Sequence, residues 1–371
     1  MGPLAGLRVV ELGGIGPVQH AAIVLADHGA EVVRIVRPAS DGPAEMGGYG
    51  EALEGGRKRL TADLGSAGHR EQVLRLIAEA DVAIEGFRPG VAERLGVGPQ
   101  TCCTLNPRLV YGRVSGWGQD GPLASSAGHD INFLALSGIL DNIGTSTSGP
   151  VPPLGVLGDF GAGSMPLLFG IMAALWERQS SGLGQVVEAS ILDGAGVLAD
   201  EYWTWFAEGK WAPGRGENFV DGCAPFYSVY ECSDRRFVAV GALEPKFYSR
   251  LVAGLGLAES ELPEQWDRAA WATTKEAFSA EFKRRPRDEW AAYFLGLDAC
   301  VSPVLSFEEV PRHPHVVARA SFDEQRGGQR PRPAPFLSRT PAKGVSRAVQ
   351  SPTDGGDRTP MWDSDPDNYG T

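Results

Sequence analysis

The sequence predicts an α/β protein in which helices flank a parallel β-sheet, with a smaller α+β domain in the second half of the chain. Three observations lead to this prediction. In the first half, short apolar runs typical of buried strands alternate with amphipathic helical segments. Glycine, at 49 of 371 residues, is frequent enough to supply many tight turns. In the second half, a hairpin pattern is followed by helical patterns.

The first elements follow one another as strand, loop, helix and strand. LRVVEL (7–12) is a buried-strand pattern, GGIGP is a glycine turn, VQHAAIVLADHGA has helical spacing, and EVVRIV is the second strand. HREQVLRLIAEA and DVAIEGFRPG repeat the step from helix to strand, and RLVYGRVSG supplies another strand. A helix is predicted over 160–180, and then a strand and a helix in GQVVEASILDGAGVL. This alternation predicts parallel strands joined by right-handed crossovers.

The order of predicted elements changes after about residue 220. Residues 224–242 alternate like an antiparallel hairpin with an SDRR turn, and helical segments follow. We expect those helices near 246–256, 273–284 and 287–296. The predicted domains are a large one over 1–200, completed by a C-terminal segment over 320–371, and a small α+β domain over 221–318. The last forty or so residues are rich in Pro, Gly, Ser, Asp and Arg, so we expect them to wrap the surface or to be partly disordered.

Composition excludes several classes of partner. A formal net charge of −12 disfavours non-specific nucleic-acid binding, which needs clustered Lys and Arg. The five cysteines form no CxxC pair and include two adjacent residues, which indicates reduced thiols of a cytoplasmic protein and no metal site. The N-terminus lacks a signal-peptide pattern, and the chain contains no uncharged apolar run of 18 residues. We therefore expect a cytoplasmic protein with neither nucleic acid nor membrane as a partner.

The glycine turn after the first strand resembles the beginning of a dinucleotide-binding fingerprint, in which helix N-terminal amides hold a pyrophosphate. The third glycine of that fingerprint is missing after Gly14 and Gly16. The second strand ends at Arg37, where a nicotinamide enzyme usually carries an acid. An NAD site is therefore disfavoured. An arginine here suits the phosphorylated ribose of NADP or coenzyme A, or is a surface residue at a strand end, and the local sequence leaves these alternatives open.

Candidate proton carriers remain after the common catalytic motifs are excluded, because the chain contains no GxxxxGK[ST], HExxH or GxSxG. His129 lies in a glycine-flanked loop before an apolar helix. Asp159 lies among apolar residues and glycines, where burial raises the pKa of a carboxyl. Glu244 follows an apolar strand. For both acids, a structural role at a helix N-terminus is an equally good interpretation.

Several long motifs, in order, resemble the α-methylacyl-CoA racemases of the family III CoA-transferase superfamily. They are PLAGLRVVELGGIGP, ADHGAEVVRIVRP, DVAIEGFRPGVAERLGVGP, GWGQDGP, GHDINFLALSG, GDFGAGS and LWERQSSGLGQVVEASILDG, and the resemblance extends from residue 3 to about residue 340. It implies a large Rossmann-like domain with a parallel sheet and a smaller domain. It also implies a homodimer whose two chains interlock, with the active site between the large domain of one subunit and the small domain of the other.

The resemblance also implies site residues. The catalytic histidine of the family falls on His129 and its catalytic aspartate on Asp159, and the glutamate that partners this aspartate falls on Glu244. The family contacts with coenzyme A fall on Arg37, Ala62, Asp63, Leu64, Gly65, Ala80, Asp81, Val82, Arg88, Gly128, Ile131, Asn132 and Phe133. The family often has an acid where this chain has Val36 and a lysine where it has Gly65. The basic stretch of Arg57, Lys58 and Arg59 is the nearby source of compensating charge.

The implied reaction inverts the α-carbon of a 2-methylacyl-CoA thioester through an enolate, so two acid/base groups must flank that carbon. His129 exchanges the proton on one face, and Asp159, sharing a proton with Glu244, on the other. We assign Asp130 to holding His129 in its useful tautomer, with capping of the following helix as the alternative. Backbone amides of the GHDIN segment are expected to face the thioester oxygen. The coenzyme A moiety is part of the substrate, and no separate cofactor or metal is predicted.

Three alternatives remain open at this point. A CoA-transferase of the superfamily uses the aspartate at the position of Asp159 as the nucleophile that accepts the acyl group. A racemase-like enzyme can be recruited for another acyl-CoA enolate reaction. A non-catalytic CoA-binding protein is the third alternative. His129 favours the racemase, because a transferase needs no base on the opposite face of the substrate.

Overall fold

In the computed structural model, residues 2–38, 53, 55–325, 328–345, 351, 353–354 and 361–362 are described. The chain divides into two compact units. Unit 1 consists of Met1–Ser137, Leu154–Leu198 and Ala318–Thr371, and unit 2 of Gly138–Pro153 and Ala199–Val317. The segment Gly138–Pro153 therefore belongs to unit 2, although it lies inside the first domain predicted from the sequence.

The strands and helices follow in chain order. The strands are β1 (Arg8–Gly13), β2 (Glu31–Val36), β3 (Lys58–Thr61), β4 (Val82–Glu85), β5 (Val110–Ser115), β6 (Val186–Ser190), β7 (Tyr227–Glu231), β8 (Phe237–Gly241), β9 (Val301–Pro303), β10 (Phe322–Gln325), β11 (Gly328–Pro331) and β12 (Thr353–Asp354). The helices are α1 (Pro17–Asp27), α2 (Ala67–Ala78), α3 (Val91–Arg94), α4 (Pro99–Leu105), α5 (Asp130–Leu136), α6 (Met165–Ser181), α7 (Ile191–Leu198), α8 (Asp200–Ala207), α9 (Pro245–Gly254), α10 (Trp271–Phe282), α11 (Arg287–Phe294) and α12 (Pro314–Ala318).

The central sheet of unit 1 has the strand order β12-β3-β2-β1-β4-β5-β6, and every neighbouring pair is parallel. The predicted α/β class and parallel sheet are confirmed. The strand order reverses between β1 and β4, and an open α/β sheet has its ligand-binding crevice outside the carboxyl ends of the strands at such a point. The fold therefore predicts where a ligand would bind before any side chain is considered.

The strands β1, β2, β4 and β5 are buried over most of their length, which explains why they read as largely apolar runs. Val9 and Val10 of β1 and Val82 of β4 have no exposed surface. Met361 and Trp362 also belong to the core of unit 1, so part of the tail returns to pack against the sheet. The remainder of the predicted surface-wrapping tail lies mostly outside the described residues.

The helical stretch Leu154–Ser181 is long and apolar enough to cross a membrane by length and composition, and 44% of its most apolar window is buried within the protein. The sequence predicts a helix over 160–180 but does not indicate that the stretch is long and apolar enough to span a membrane. Its α6 part packs against β5 and β6 through buried residues such as Leu167 and Ile171, as a core helix of unit 1 does. The opposite face of α6 is an exposed apolar stripe, formed by Met165, Phe169, Met172 and Trp176.

The segment just before α6, Leu157–Ser164, is a π-helix. The sequence predicts a helix over part of this stretch but does not indicate that it is a π-helix. Glycines allow the segment to approach its neighbours closely: a Cβ added at Gly163 would lie 3.2 Å from Cβ of Pro17 and 3.0 Å from Cγ1 of Ile191. A Cβ added at Gly194 of α7 would lie 1.9 Å from the carbonyl oxygen of Ala162. The π-helical segment is therefore packed against both α1 and α7.

Unit 2 contains the antiparallel sheet β7-β8-β9 and the helices that cover it. The predicted hairpin is confirmed, whereas the short third strand β9 was not predicted. Aromatic side chains fill the core, among them Phe226, Phe278, Phe282 and Trp290. The indole N–H of Trp290 donates to the carbonyl oxygen of Phe282 at 2.8 Å, so the buried polar group is satisfied.

Two glycines of α7 test the close packing of the π-helical segment. We expect Gly194→Ala to lower the free energy of unfolding by about 1–3 kcal/mol, because its Cβ would overlap a backbone oxygen. The matched change Gly196→Ala meets open space, so it should be neutral or stabilising by up to about 1 kcal/mol from helix propensity. Denaturant unfolding of the two variants and the wild type measures the difference. Equal midpoints for Gly194→Ala and Gly196→Ala would show that the packing is looser than the structure indicates.

Candidate active site

A cleft of about 250 Å³ opens in unit 1 at the carboxyl edge of the sheet, where the strand order reverses. Its walls come from segments that follow β1, β4, β5 and β6, and from the loop that leads into α5. The lining includes Ile15, Pro17, Gly86, Phe87, Arg88, Ser115, Trp117, Gly128, His129, Phe133, Asp159 and Ile191. His129 and Asp159, the two predicted catalytic residues, therefore line the same cleft.

His129 occupies the N-cap position of α5, in an extended conformation with φ −129° and ψ 173°. Its backbone N–H donates to Oδ1 of Asn132, 3.0 Å away. The backbone N–H of Asn132 in turn donates to the carbonyl oxygen of His129 at 2.8 Å. This reciprocal arrangement fixes the junction between loop and helix, and the exposed imidazole is presented at the cleft.

The side chain of Phe133 packs beside the junction between the loop and α5. This side chain is buried, and its ring packs edge-to-face against Trp117 with centroids 4.7 Å apart. A Cβ added at Gly116 would lie 2.0 Å from the ring of Phe133, and one added at Gly128 would lie 2.7 Å from it. The ring therefore packs closely against two glycine backbones, where a side chain would overlap it.

Asp159 lies in the π-helical segment, and only 8% of it is exposed. Its carboxylate lies against the turn before α1: a Cβ added at Gly16 would be 2.6 Å from Oδ2 of Asp159. Gly16 also has φ +61°, a conformation that favours glycine. The glycine loop after β1 is thus needed for the approach of an acid, a function the sequence did not reveal.

Asp130 has a different partner from the one predicted. Its Oδ2 accepts a hydrogen bond of 2.7 Å from the backbone N–H of Asp159, and a Cβ at Gly158 would lie 2.3 Å from the same oxygen. The N-cap position of α5 is occupied by His129. Asp130 therefore holds the segment that carries Asp159, which corrects both its assignment to the His129 tautomer and the capping alternative. The contact joins residues far apart in sequence, so no local pattern predicts it.

Glu85 is buried and supports the part of the cleft wall that follows β4. It was not predicted from the sequence. Its Oε2 accepts from the backbone N–H of Phe87 at 2.6 Å, and its Oε1 lies 3.2 Å from Nε of Arg113, which also pairs with Glu93. Burial raises the pKa of Glu85 to about 7, against the opposing effects of the Phe87 hydrogen bond and the Arg113 charge. The only sequence signal is an acid at the end of a buried strand.

Most of the predicted coenzyme A contacts lie at the carboxyl edge of the sheet. Arg37 is exposed just after β2, and Arg88 is exposed in the segment after β4. The stretch 62–65 follows β3, with Ala62 and Leu64 buried and Asp63 and Gly65 exposed. Oδ1 of Asp63 accepts from the N–H of Gly65 at 2.9 Å. Gly128, Ile131, Asn132 and Phe133 belong to the loop and helix described above.

Ala80, Asp81 and Val82 do not belong to this site. They lie at the amino end of β4, the opposite edge of a parallel sheet from the cleft. Asp81 accepts from the N–H of Arg8 at 3.1 Å and pairs with Arg178 at 2.9 Å, so its carboxylate is engaged there. The predicted contact is corrected accordingly: the segment 86–89, at the other end of β4, lines the cleft.

Two side chains of the basic stretch near β3 form ion pairs with acids of the sheet. Arg57 is buried and forms a 2.8 Å ion pair with Glu11, and Lys58 forms a 2.6 Å ion pair with Glu31. These two side chains therefore do not supply the compensating charge expected of them. Within the part of the chain that the structure describes, His, Cys, Asp and Glu side chains form no cluster of three or more that could hold a metal.

Glu244 lies in unit 2, at the N-cap position of α9. Its carbonyl oxygen accepts from the N–H groups of Phe247 and Tyr248 at 2.9 and 3.0 Å. The backbone of Glu244 thus begins the helix, while its side chain makes no capping hydrogen bond. The pairing of Glu244 with Asp159 stays a prediction.

The raised pKa of Glu85 gives a pH-dependent stability. Because its folded-state pKa of about 7 exceeds the ordinary 4.5, its contribution is fully present below pH 4.5 and is lost as pH rises through 7. We expect the wild type to lose on the order of 1–3 kcal/mol between pH 5 and pH 8 relative to Glu85→Gln. Unfolding free energies across this range test it, with Glu93→Gln, a more exposed partner of Arg113, as control. Parallel curves for wild type and Glu85→Gln would contradict the assignment.

Comparison with known proteins identifies the family. A family model described as CoA-transferase family III matches residues 4–358. The chain is 46% identical over 355 residues to the alpha-methylacyl-CoA racemase of Mus musculus, which covers 95% of this chain and 90% of that protein. It is 44% identical over 340 residues to the alpha-methylacyl-CoA racemase of Homo sapiens, covering 91% and 87%.

A solved structure is similar over almost the same length. The CAIB/BAIF family protein from Brucella suis superposes with a TM-score of 0.81 at 26% identity, covering 94% of this chain and 96% of that one. The resemblance seen in the sequence motifs is thereby confirmed. Since the family model and both racemases span nearly the whole chain, this chain belongs to CoA-transferase family III.

Proposed function

We propose that the protein is a racemase that interconverts (2R)- and (2S)-2-methylacyl-CoA thioesters by removing the α-proton and returning a proton to the opposite face. The observation that carries the proposal is that His129 and Asp159 line one cleft at the reversal point of the sheet. The two racemases at 46% and 44% identity support it.

The two groups suit the two faces of one carbon. The exposed imidazole of His129 exchanges its proton readily with water, whereas Asp159 is held in a buried, fixed position. Each general acid/base contributes about 10² to 10⁴ in rate. The thioester oxygen takes on negative charge in the enolate, and each well-aimed donor stabilises it by about 3–4 kcal/mol. The backbone N–H groups that begin α5, at Asp130 and Ile131, are the donors we assign to it.

The substrate carries its own coenzyme A, so the proposal includes neither a separate cofactor nor a metal. The exposed guanidinium groups of Arg37 and Arg88 stand at the edge of the sheet where the cleft opens, and guanidinium groups bind phosphate oxygens bidentately. We place the protein in the cytoplasm. All five cysteines lie within the described residues and none is in a disulfide, which is compatible with that placement.

We also propose that two copies form a homodimer in which Glu244 of one subunit reaches Asp159 of the other. The exposed stripe on α6 supports an association of this kind. Its members recur at spacings of four, three and four residues, and Phe169 and Trp176 are 77% and 74% exposed. Large apolar side chains aligned along one helix face usually mark a protein contact surface.

The second candidate is a CoA-transferase. The family description and the buried position of Asp159 support it. In that reaction the carboxylate of Asp159 attacks the acyl carbon and forms a mixed anhydride, with coenzyme A as the leaving group. His129 has no evident role there. Recruitment for another acyl-CoA enolate reaction and a non-catalytic CoA-binding role remain as further outcomes of the test.

Solvent exchange tests the proposed reaction. A 2-methylacyl-CoA incubated with the protein in D₂O should acquire one deuterium at the α-carbon while it racemises, followed by NMR or mass spectrometry. His129→Ala and Asp159→Ala should each slow racemisation by about 10² to 10⁴. The exposed His315 provides the control, since His315→Ala should leave the rate unchanged.

Other results would decide between the candidates. No α-label with the wild type rejects the racemase. A mass increase on Asp159 during turnover, from an acyl group or coenzyme A, establishes the transferase. Coenzyme A binding that survives His129→Ala, with no turnover of any thioester by the wild type, indicates a binding protein. Full activity in either variant would remove that residue from the mechanism.

The proposed dimer gives a separate prediction. The double variant Phe169→Glu/Trp176→Glu should shift the wild-type dimer to a monomer in sedimentation velocity and reduce racemisation, because Glu244 would no longer reach Asp159. Leu105→Glu, which charges an exposed apolar residue of α4, is the control and should remain dimeric. A wild type that is monomeric and fully active would overturn the proposal.

A further inference from the structure

The π-helical segment contacts the beginning of α1 at successive points. Gly16 lies against the carboxylate of Asp159, and Pro17 lies against Gly163. One turn further along α1, His20 meets the segment at two more places. The backbone N–H of His20 donates to the carbonyl oxygen of Gly16 at 3.0 Å, so these contacts all come from one turn of helix.

His20 contacts the middle and the last residue of the segment. Its Nδ1 and Oγ of Ser164 are 2.7 Å apart and share a hydrogen bond, and Ser164 is completely buried at the last π-helical position. The imidazole also stacks on the ring of Phe160, with centroids 4.5 Å apart and planes 18° from parallel. Phe160 follows Asp159 directly in the chain. One side chain therefore contacts the residue next to Asp159 and the residue at which α6 takes over.

These contacts matter because of the conformation they hold. π-Helical turns are rare, and they persist where surrounding contacts favour them over the α-helix. Since the segment continues into α6, the competing state is an extension of α6 toward the N-terminus in α-helical register. That change would rotate Asp159 about the helix axis relative to the cleft. A displacement of about 1 Å in a catalytic group costs roughly 10²-fold in rate.

We propose that His20 is a positioning residue, which holds Leu157–Ser164 in its π-helical register and thereby aims Asp159 into the cleft. The functional part of this inference rests on the racemase proposed above. His20 acts through Phe160 and Ser164 and contacts neither the thioester nor the migrating proton. In the sequence, His20 lies within the helical pattern VQHAAIVLADHGA, which does not indicate this role.

Two substitutions remove the hydrogen bond between His20 and Ser164 while keeping an aromatic ring against Phe160. His20→Phe keeps an aromatic ring against Phe160 but removes the nitrogen that bonds Ser164. Ser164→Ala removes the same hydrogen bond from the other side. His28→Phe is the matched control: His28 lies at the C-terminal end of the same helix, is buried, and bonds the carbonyl oxygen of Val24 through Nδ1 at 2.7 Å. It is therefore expected to affect stability without affecting Asp159.

The kinetic readout uses each enantiomer separately. In D₂O, each enantiomer loses its α-proton to only one of the two bases, and the variants His129→Ala and Asp159→Ala establish which. In His20→Phe and Ser164→Ala, we expect kcat to fall about 10- to 100-fold with KM within twofold. Deuterium exchange should be slowed chiefly for the enantiomer that Asp159 deprotonates. Unchanged kcat, or equal slowing for both enantiomers, would overturn the inference.

A second readout does not depend on catalysis. Hydrogen exchange by mass spectrometry should show faster amide exchange in a peptide covering 157–164 for His20→Phe and Ser164→Ala, with no such change for His28→Phe. Unchanged exchange in this peptide would overturn the inference even if the wild type has another activity. If the wild type does not racemise the thioester, the proposed function fails and this measurement still decides whether His20 holds the segment.

Discussion

The hydrogen bond from the backbone N–H of Asp159 to the carboxylate of Asp130, 2.7 Å long, is the contact on which the arrangement of the site depends. Asp130 is the immediate neighbour of His129, so this one bond ties the segment carrying the imidazole to the segment carrying the acid. A carboxylate that accepts a backbone N–H forms one of the stronger hydrogen bonds in proteins. Two groups that must act on opposite faces of one carbon are thus held by a short connection.

The sheet provides the framework on which that connection is built. Reversal of the strand order between β1 and β4 leaves room for the cleft, and glycine backbones let its walls approach one another. A Cβ added at Gly13 would lie 2.7 Å from the ring of Phe87, and one added at Gly14 would lie 3.0 Å from Cα of Gly86. Close approaches between loops therefore account for these two glycines. On the far side, the buried Glu85 holds the backbone of Phe87 in place.

Sequence reasoning predicted the strands that are buried along most of their length. It failed where an element is short, or where its conformation depends on contacts between residues far apart in the chain. Strands such as β1 and β2 are buried and mostly apolar and were easy to identify, whereas β3 reads KRLT and lacks an apolar run. The partner of Asp130 and the π-helical register depend on packing between segments that are far apart in the chain. The transfer of a coenzyme A contact to Ala80–Val82 failed because matching a strand does not specify which of its ends faces the ligand.

The central claim is that one α-carbon lies between His129 and Asp159. A crystal structure of the protein with a bound 2-methylacyl-CoA, determined with an Asp159→Asn variant to slow turnover, tests it most directly. The account predicts the α-carbon within about 3–3.5 Å of both the imidazole and the side chain at position 159, on opposite faces. An α-carbon out of reach of either group, with the thioester bound elsewhere on the sheet edge, would contradict it.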